Sequence, residues 1–96
     1  MFQKLKPWRS EPYLDWIRSR PCLACDSQPP AEPHHIIGVG GMSGMGMKAP
    51  DWAVIPLCRE CHNEMHDEPG TWFAQWQMIV RTLGAAIDAG KLQWRK

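Results

Sequence analysis

The sequence predicts a small α+β fold, in which a β-hairpin and the helix that follows it are flanked by helical segments at both ends of the chain. Two observations predict it. Apolar residues recur at helical spacing near both ends, and two short apolar segments between them have strand composition. Because 96 residues rarely support a second core, we expect one domain. It should contain an N-terminal helix in 1–20, a strand–strand–helix motif in 21–68 and C-terminal helices in 70–96.

The N-terminal helix has a clear start and a clear end in the sequence. Ser10 is a suitable N-cap, since its hydroxyl can accept a backbone N–H of the first turn. Tyr13, Trp16 and Ile17 then recur at i, i+3 and i+4, which predicts an amphipathic helix of about ten residues. Pro21 ends the helix, because proline lacks a backbone N–H.

The pattern in the centre of the chain predicts a hairpin. The segment EPHHIIGV, from Glu32, predicts a first strand, and DWAVIPL, from Asp51, predicts a second strand that pairs with it. Between them, residues 38–50 contain five Gly and three Met without periodicity. This connection either presents backbone N–H groups to a phosphate, with Lys48 beside it, or serves only as a hairpin tip.

Two helices are expected after the hairpin. The first carries the segment HNEMH and ends at Pro69 and Gly70. The second begins after Thr71, a suitable N-cap, and Gly90 is positioned to close its last turn. We expect the apolar stripe of this helix to lie in the core; it consists of Trp72, Trp76, Ile79, Val80 and Leu83.

Composition and charge limit the functional classes. The chain is 44% hydrophobic and 22% charged, as in ordinary globular proteins, and no stretch has the length of a membrane span or a signal-peptide core. We therefore expect a cytoplasmic protein. A formal net charge of +1 excludes a strong overall attraction to nucleic acid. The basic residues near both ends are either solvated or form a phosphate-binding face.

Two Cys-x₂-Cys pairs are the strongest chemical signal in the sequence. Cys22 and Cys25 form the first pair, and Cys58 and Cys61 form the second. In the cytoplasm such pairs are typical of metal sites or redox dithiols, because thiols there stay reduced. No thioredoxin-like strand–helix–strand pattern surrounds either pair. Since structural zinc is tetrahedral and binds four thiolates from two such turns, we predict one closed zinc site.

The four histidines remain once zinc has taken the four thiolates. His62 and His66 lie at i, i+4 on one helix, a spacing that chelates metals, and His34 and His35 are adjacent on the first strand. Zinc would join the base of the hairpin to the start of the helix, and so bring the two histidine pairs together. We therefore predict a second, open metal site built from histidine.

The order of these motifs resembles the HNH, or ββα-metal, endonuclease superfamily in its zinc-knuckle form. The matching stretch runs from CLAC through PHHIIG and the Gly-rich segment to IPLCRECHNEMH. It is most similar to the short HNH proteins of phages and prophages, some of them tied to recombination, including a RecA-dependent nuclease. The resemblance implies a ββα-metal core, DNA as substrate and partner, contact with recombination proteins, and a bacterial host cell.

The resemblance also implies roles for individual histidines. His35 would be the general base that activates water, and His34 would bind the catalytic cation together with His62 and His66. The reverse assignment of His34 and His35 stays open, because successive strand residues point to opposite faces. The cation would act as a Lewis acid on the phosphate and yield 5′-phosphate and 3′-hydroxyl ends. Imidazole ligands leave Mg²⁺, Mn²⁺, Ni²⁺ and Zn²⁺ as candidates.

The sequence departs from this family pattern at one position. Many HNH proteins have Asn two residues into the second strand, where Ala53 stands here, and Asp51 is a nearby substitute. Arg59, inside the second cysteine pair, either contacts the DNA backbone or offsets the negative charge of a zinc–thiolate centre.

Three functional classes are compatible with these patterns. The first is a metal-dependent DNA endonuclease. The second is a non-catalytic, zinc-stabilised DNA-binding or recombination-accessory module, and the third is a protein-interaction domain that uses the Trp-rich C-terminal helices. We favour the endonuclease, because all four histidines have chelating or catalytic spacing.

Overall fold

The computed structural model describes residues 8–36, 48–67 and 72–92, without the side chains at 66, 67, 72 and 73. The predicted α+β class is confirmed, because these ranges contain three helices and a two-stranded antiparallel sheet. No helix in them has the length and apolarity to cross a membrane. Most of the Gly-rich segment, together with Pro69, Gly70 and Thr71, lies outside the described residues. In chain order the elements are α1 (Glu11–Arg18), β1 (Glu32–His35), β2 (Val54–Leu57), α2 (Arg59–Asp67) and α3 (Trp72–Asp88).

Helix α1 begins at the predicted cap. The Ser10 hydroxyl accepts the N–H of Tyr13 at 3.2 Å, and so satisfies one of the N–H groups that the start of a helix leaves unpaired. Tyr13, Leu14 and Ile17 are buried, and Trp16 is half-buried. This apolar face packs α1 against both strands.

The hairpin pairs β1 with β2 in a regular antiparallel register, with His34 opposite Ile55. The strand β1 is shorter than we predicted and ends at His35, although the N–H of Ile36 still donates to the carbonyl of Ala53 at 3.1 Å. Because successive strand residues point to opposite faces, the two adjacent histidines leave the sheet on opposite sides.

Strand β2 is the centre of the core. All four of its residues are buried, because β1, α1 and α3 all pack against it. Val54 lies in the cluster with the apolar face of α1, whereas Ile55 and Leu57 lie in the cluster with Ile79 of α3. Full burial of one such side chain stabilises the fold by about 1.5–3 kcal/mol. Core packing therefore fixes the position of β2, and with it the start of the cysteine pair that follows the strand.

Helix α3 buries a different face from the one we predicted. Ile79 is buried and Leu83 half-buried as expected, but Trp76 is 43% exposed and Val80 is 66% exposed. The side chain of Trp72 lies outside the described residues. The face that packs inward consists of Gln75, Ile79, Thr82 and Ala86. The prediction was wrong here because α3 is apolar on more than one side, so that its periodicity does not single out one face.

The end of α3 follows the predicted glycine. Gly90 has a φ of 74°, in the left-handed region that glycine tolerates. Its N–H donates to the carbonyl of Ile87 at 3.1 Å, and the N–H of Lys91 donates to the carbonyl of Ala86 at 2.8 Å. These two bonds form a Schellman motif, which satisfies carbonyls that the end of a helix leaves unpaired.

Candidate functional site

The two cysteine pairs converge where the hairpin meets α2. The first pair lies in the turn after α1, and the second lies between the end of β2 and the first turns of α2. The N–H of Leu23, inside the first pair, donates to the carbonyl of Pro56 in β2 at 2.9 Å. This backbone bond fixes the first turn against the strand that leads into the second.

The four thiols form a compact cluster. Their Sγ atoms all lie within 4.8 Å of one another, and the Sγ atoms of Cys25 and Cys58 are 3.7 Å apart. All four cysteines are free, and a disulfide would require an S–S distance of about 2.05 Å. Four Zn–S bonds of about 2.3 Å place the sulfurs of a tetrahedral site about 3.8 Å apart. The cluster therefore fits a structural metal such as zinc.

The electrostatics of the cluster also favour a cation. Burial by itself raises the pKa of Cys22, but backbone N–H groups of the two cysteine turns outweigh burial and lower it to about 6. Burial and hydrogen bonds with the other thiols raise the pKa of Cys61 well above its ordinary value. One thiol of the cluster thus ionises easily and another resists, as expected for negative charges held close together. A divalent cation would stabilise all four as thiolates.

His34 is fully buried between β1 and α3. Its Nε2 lies 3.0 Å from Oε1 of Gln75. Because an amide oxygen only accepts hydrogen bonds, Nε2 of His34 carries a proton and donates it to Gln75. The ring of His34 meets that of His62 edge to face, with 5.0 Å between their centroids. Two of the predicted metal ligands are therefore in contact.

His62 is oriented by a carboxylate from the hairpin. Its Nδ1 lies 2.9 Å from Oε1 of Glu32, and the other oxygen of Glu32 accepts from Arg59 at 2.8 Å. The hydrogen bond from His62 and the charge of Arg59 lower the pKa of Glu32. An ionised Glu32 only accepts, so Nδ1 of His62 carries a proton and donates it to Glu32. Carboxylates commonly orient metal-binding histidines in this way.

His35 projects from the opposite face of β1. Its Nε2 lies 2.9 Å from Oδ1 of Asp51, and its side chain is 15% exposed. Burial lowers the pKa of His35, and the hydrogen bond to Asp51 opposes this effect without cancelling it. The positive charges of Lys48 and Arg9 lower the pKa further. His35 is therefore a neutral imidazole near cellular pH.

The other predicted site residues are distributed around these three histidines. His66 lies in the last turn of α2, and its side chain is outside the described residues. Lys48 is exposed, and its carbonyl accepts from Arg9 at 3.1 Å. Arg59 is ion-paired to Glu32 and remains 79% exposed at its side chain. Ala53 is fully buried, and its methyl side chain has no polar atom to replace that of the usual Asn.

Three residues that contact the candidate site were not identified from the sequence. Glu32 has a signal, because it precedes His34 by two residues and so shares its strand face. Gln75 has only a weak signal, a polar residue within an apolar helix, and its burial depends on which face of α3 packs inward. Arg9 has none, since its partner Asp51 lies 42 residues away.

A bacterial protein is similar to almost the whole chain. Over 93 residues, the chain is 40% identical to a protein of Escherichia coli (strain K12) named Uncharacterized protein YdfU. The alignment covers 93% of this chain and 26% of that protein, so the chain spans about a quarter of its relative's length. No solved structure matches the chain.

A family match covers all the elements described above. Residues 2–90 match the family described as Protein of unknown function (DUF968). The matched range includes both cysteine pairs, the hairpin and the three histidines whose contacts are described. The chain therefore belongs to the DUF968 family.

Proposed function

We propose that the protein is a metal-dependent DNA endonuclease of the HNH type. The observation that carries this proposal is the contact between His34 of β1 and His62 of α2, whose rings lie 5.0 Å apart. The two rings come from a strand–strand–helix arrangement of the order typical of ββα-metal nucleases. Each also has one nitrogen held by a side-chain acceptor, as is usual for metal-binding histidines.

Two metals have separate roles in this proposal. The four thiolates would hold a structural zinc that joins the hairpin to α2. Nδ1 of His34 and Nε2 of His62, with His66, would hold the catalytic cation, which when bound supplies Lewis-acid stabilisation of the phosphate. Candidate cations are Mg²⁺, Mn²⁺, Ni²⁺ and Zn²⁺, of which imidazole ligands favour the last two.

His35 supplies the acid–base chemistry. Its Nε2 carries the proton donated to Asp51, so Nδ1 carries the lone pair that accepts a proton from water. A lowered pKa keeps this ring neutral, and thus able to accept a proton, near cellular pH. Lys48 and Arg9 place positive charge close to the ring, and a phosphodiester anion would be attracted to the same region.

A supercoiled-plasmid nicking assay tests the proposal. The wild-type protein should nick plasmid DNA in the presence of at least one of the four candidate cations, and EDTA should abolish the activity without removing the tightly held zinc. His35→Ala should nick much more slowly under the same conditions. Glu60→Gln changes an exposed residue of α2 and serves as a matched control that should retain activity.

A non-catalytic DNA-binding or recombination-accessory module is the second candidate. The buried methyl group of Ala53 favours it, because the Asn that many HNH nucleases have there is absent. Salt-dependent DNA binding by wild type, without nicking in any of the four cations, would favour this alternative over the nuclease. Under either function we propose that the protein acts in the cytoplasm of a bacterial cell, and its relative from Escherichia coli supports the bacterial part of this proposal.

A further inference from the structure

A buried carboxylate joins the N-terminal segment to the histidine of β1. The side chain of Asp51 is 4% exposed. Its Oδ1 accepts from Nε2 of His35 at 2.9 Å and from Nη1 of Arg9 at 3.1 Å, and its Oδ2 accepts the backbone N–H of Ser10 at 2.8 Å. Three donors from two distant parts of the chain thus converge on one carboxylate.

The same carboxylate is kept ionised by its donors. Burial on its own raises the pKa of Asp51, but the hydrogen bonds from His35, Ser10 and Arg9 outweigh burial and lower it. An ionised carboxylate only accepts hydrogen bonds. The imidazole nitrogen that faces it must therefore carry a proton, and the lone pair of the neutral ring is on the opposite nitrogen.

We infer that Asp51 is a positioning residue that selects the tautomer and orientation of His35. The inference rests on the proposed nuclease function, in which Nδ1 of His35 accepts the proton of water. Free imidazole interconverts between two tautomers and rotates, whereas the bond to Asp51 permits one tautomer and holds the ring plane. This contact takes over the role for which the side chain of Ala53 has no polar atom.

The segment before α1 holds the carboxylate in turn. Arg9 donates not only to Asp51 but also to the carbonyl of Ala49 at 2.6 Å and to that of Lys48 at 3.1 Å. The N–H of Asp51 donates to the carbonyl of Trp8 at 2.8 Å. Hydrogen bonds thus run from donors in residues 8–10 to acceptors in 48–51, and from a donor in 48–51 back to an acceptor in 8–10. The site consequently extends beyond the hairpin and α2 to the residues that precede α1.

The histidine rings report this arrangement directly in a ¹⁵N NMR experiment that needs no catalysis. We would record long-range ¹H–¹⁵N spectra of the full chain at a pH about two units above the ordinary histidine pKa of about 6.5. Wild-type His35 should be a single tautomer with a slowly exchanging Nε2–H. In Asp51→Ala this signal should be lost, and the ring should become a mixture of tautomers.

Arg9→Gln is the matched control. It removes a donor to the same carboxylate and leaves Oδ1 in place for His35, so the Nε2–H signal of His35 should persist. A folded Asp51→Ala protein that keeps the wild-type His35 signal overturns the inference. If Asp51→Ala does not fold, the wild-type spectrum decides alone, because a proton on Nδ1 of His35 contradicts the tautomer that Asp51 is inferred to select.

Cleavage kinetics separate positioning from a purely structural role. Asp51→Ala should slow single-turnover cleavage by about 10–100-fold in the wild-type background. In the His35→Ala background it should change the rate by less than about twofold, because the residue through which it acts is gone. Equal losses in both backgrounds overturn the inference. If wild type does not cleave DNA with any of the four cations, the nuclease proposal is refuted instead. The NMR result then decides the tautomer of His35 independently.

Discussion

His34 and His62 meet edge to face between β1 and α2, with their ring centroids 5.0 Å apart and their planes at 84°. Each ring is held by a different acceptor, Gln75 for His34 and Glu32 for His62. Nε2 of His34 and Nδ1 of His62 therefore donate hydrogen bonds to these two acceptors. This geometry is determined by the hairpin, by α2 and by the face of α3 that packs inward.

Cys58→Ser should release the zinc and unfold the hairpin, because a structural zinc site contributes folding free energy directly. Zinc content and thermal unfolding measured on the same sample test this. Ser27→Ala removes a hydroxyl that contacts the sulfurs of Cys25 and Cys58 but leaves all four thiols in place, so this variant should keep zinc and unfold close to the wild-type temperature. A zinc-free Cys58→Ser protein with a wild-type unfolding transition would refute the zinc assignment.

His35→Ala should slow cleavage by about 10²–10⁴-fold, the loss expected for a positioned base. It should retain the structural zinc, the second metal and DNA affinity. His66→Ala should instead lose the second metal and cleavage together. Single-turnover rates and metal content measured for both variants test this. If His35→Ala releases the second metal while His34→Ala keeps it and only slows cleavage, the roles of the two adjacent histidines are reversed.

Glu32→Gln should lower the affinity for the second metal by about 10–100-fold, because the carboxylate that orients His62 is lost. The structural zinc should be unaffected. Isothermal titration calorimetry with Ni²⁺ or Mn²⁺ measures the change in affinity. Glu60→Gln removes the same charge from an exposed position in the first turn of α2, and it should bind both metals as wild type does. Equal affinities in the two variants would argue against this role for Glu32.

As the pH is lowered, the cleavage rate should fall only below the ordinary histidine pKa of about 6.5. Burial lowers the pKa of His35, so the neutral ring persists to lower pH, and the base is lost only when the pH falls through this lowered value. A pH profile of single-turnover cleavage tests the prediction. Zinc content measured at each pH is the control, because the thiolate site should remain loaded throughout the acid limb. Simultaneous loss of both metals would indicate one shared cluster.

The face of α3 that packs inward can be tested by two adjacent substitutions. Ile79→Ala should lower the free energy of unfolding by about 2–5 kcal/mol, because Ile79 is 2% exposed. Val80→Ala should change it by no more than about 0.5 kcal/mol, because Val80 is 66% exposed. Denaturant unfolding of the two variants measures both values. Equal destabilisation would place both residues in the core, as the sequence had suggested.

Local signals in the sequence determined the start of α1, the end of α3 and the cysteine site. The Ser10 cap and the Gly90 turn act within a few residues of their own positions, so their chemistry is visible in the chain itself. The Cys-x₂-Cys spacing likewise encodes a turn that directs two sulfurs to one ion, and the four thiols do converge.

Only the tertiary structure decided which side chains hold the histidines. The bonds from His34 to Gln75 and from Arg9 to Asp51 join residues 41 and 42 positions apart, and no periodicity in the chain relates such distant residues. The packing of α3 was decided in the same way. Trp76, Ile79 and Val80 have similar apolar character, so the helix pattern alone could not choose among them. The choice was made by contact with β2, whose buried surface accepts Ile79 and leaves Trp76 and Val80 exposed.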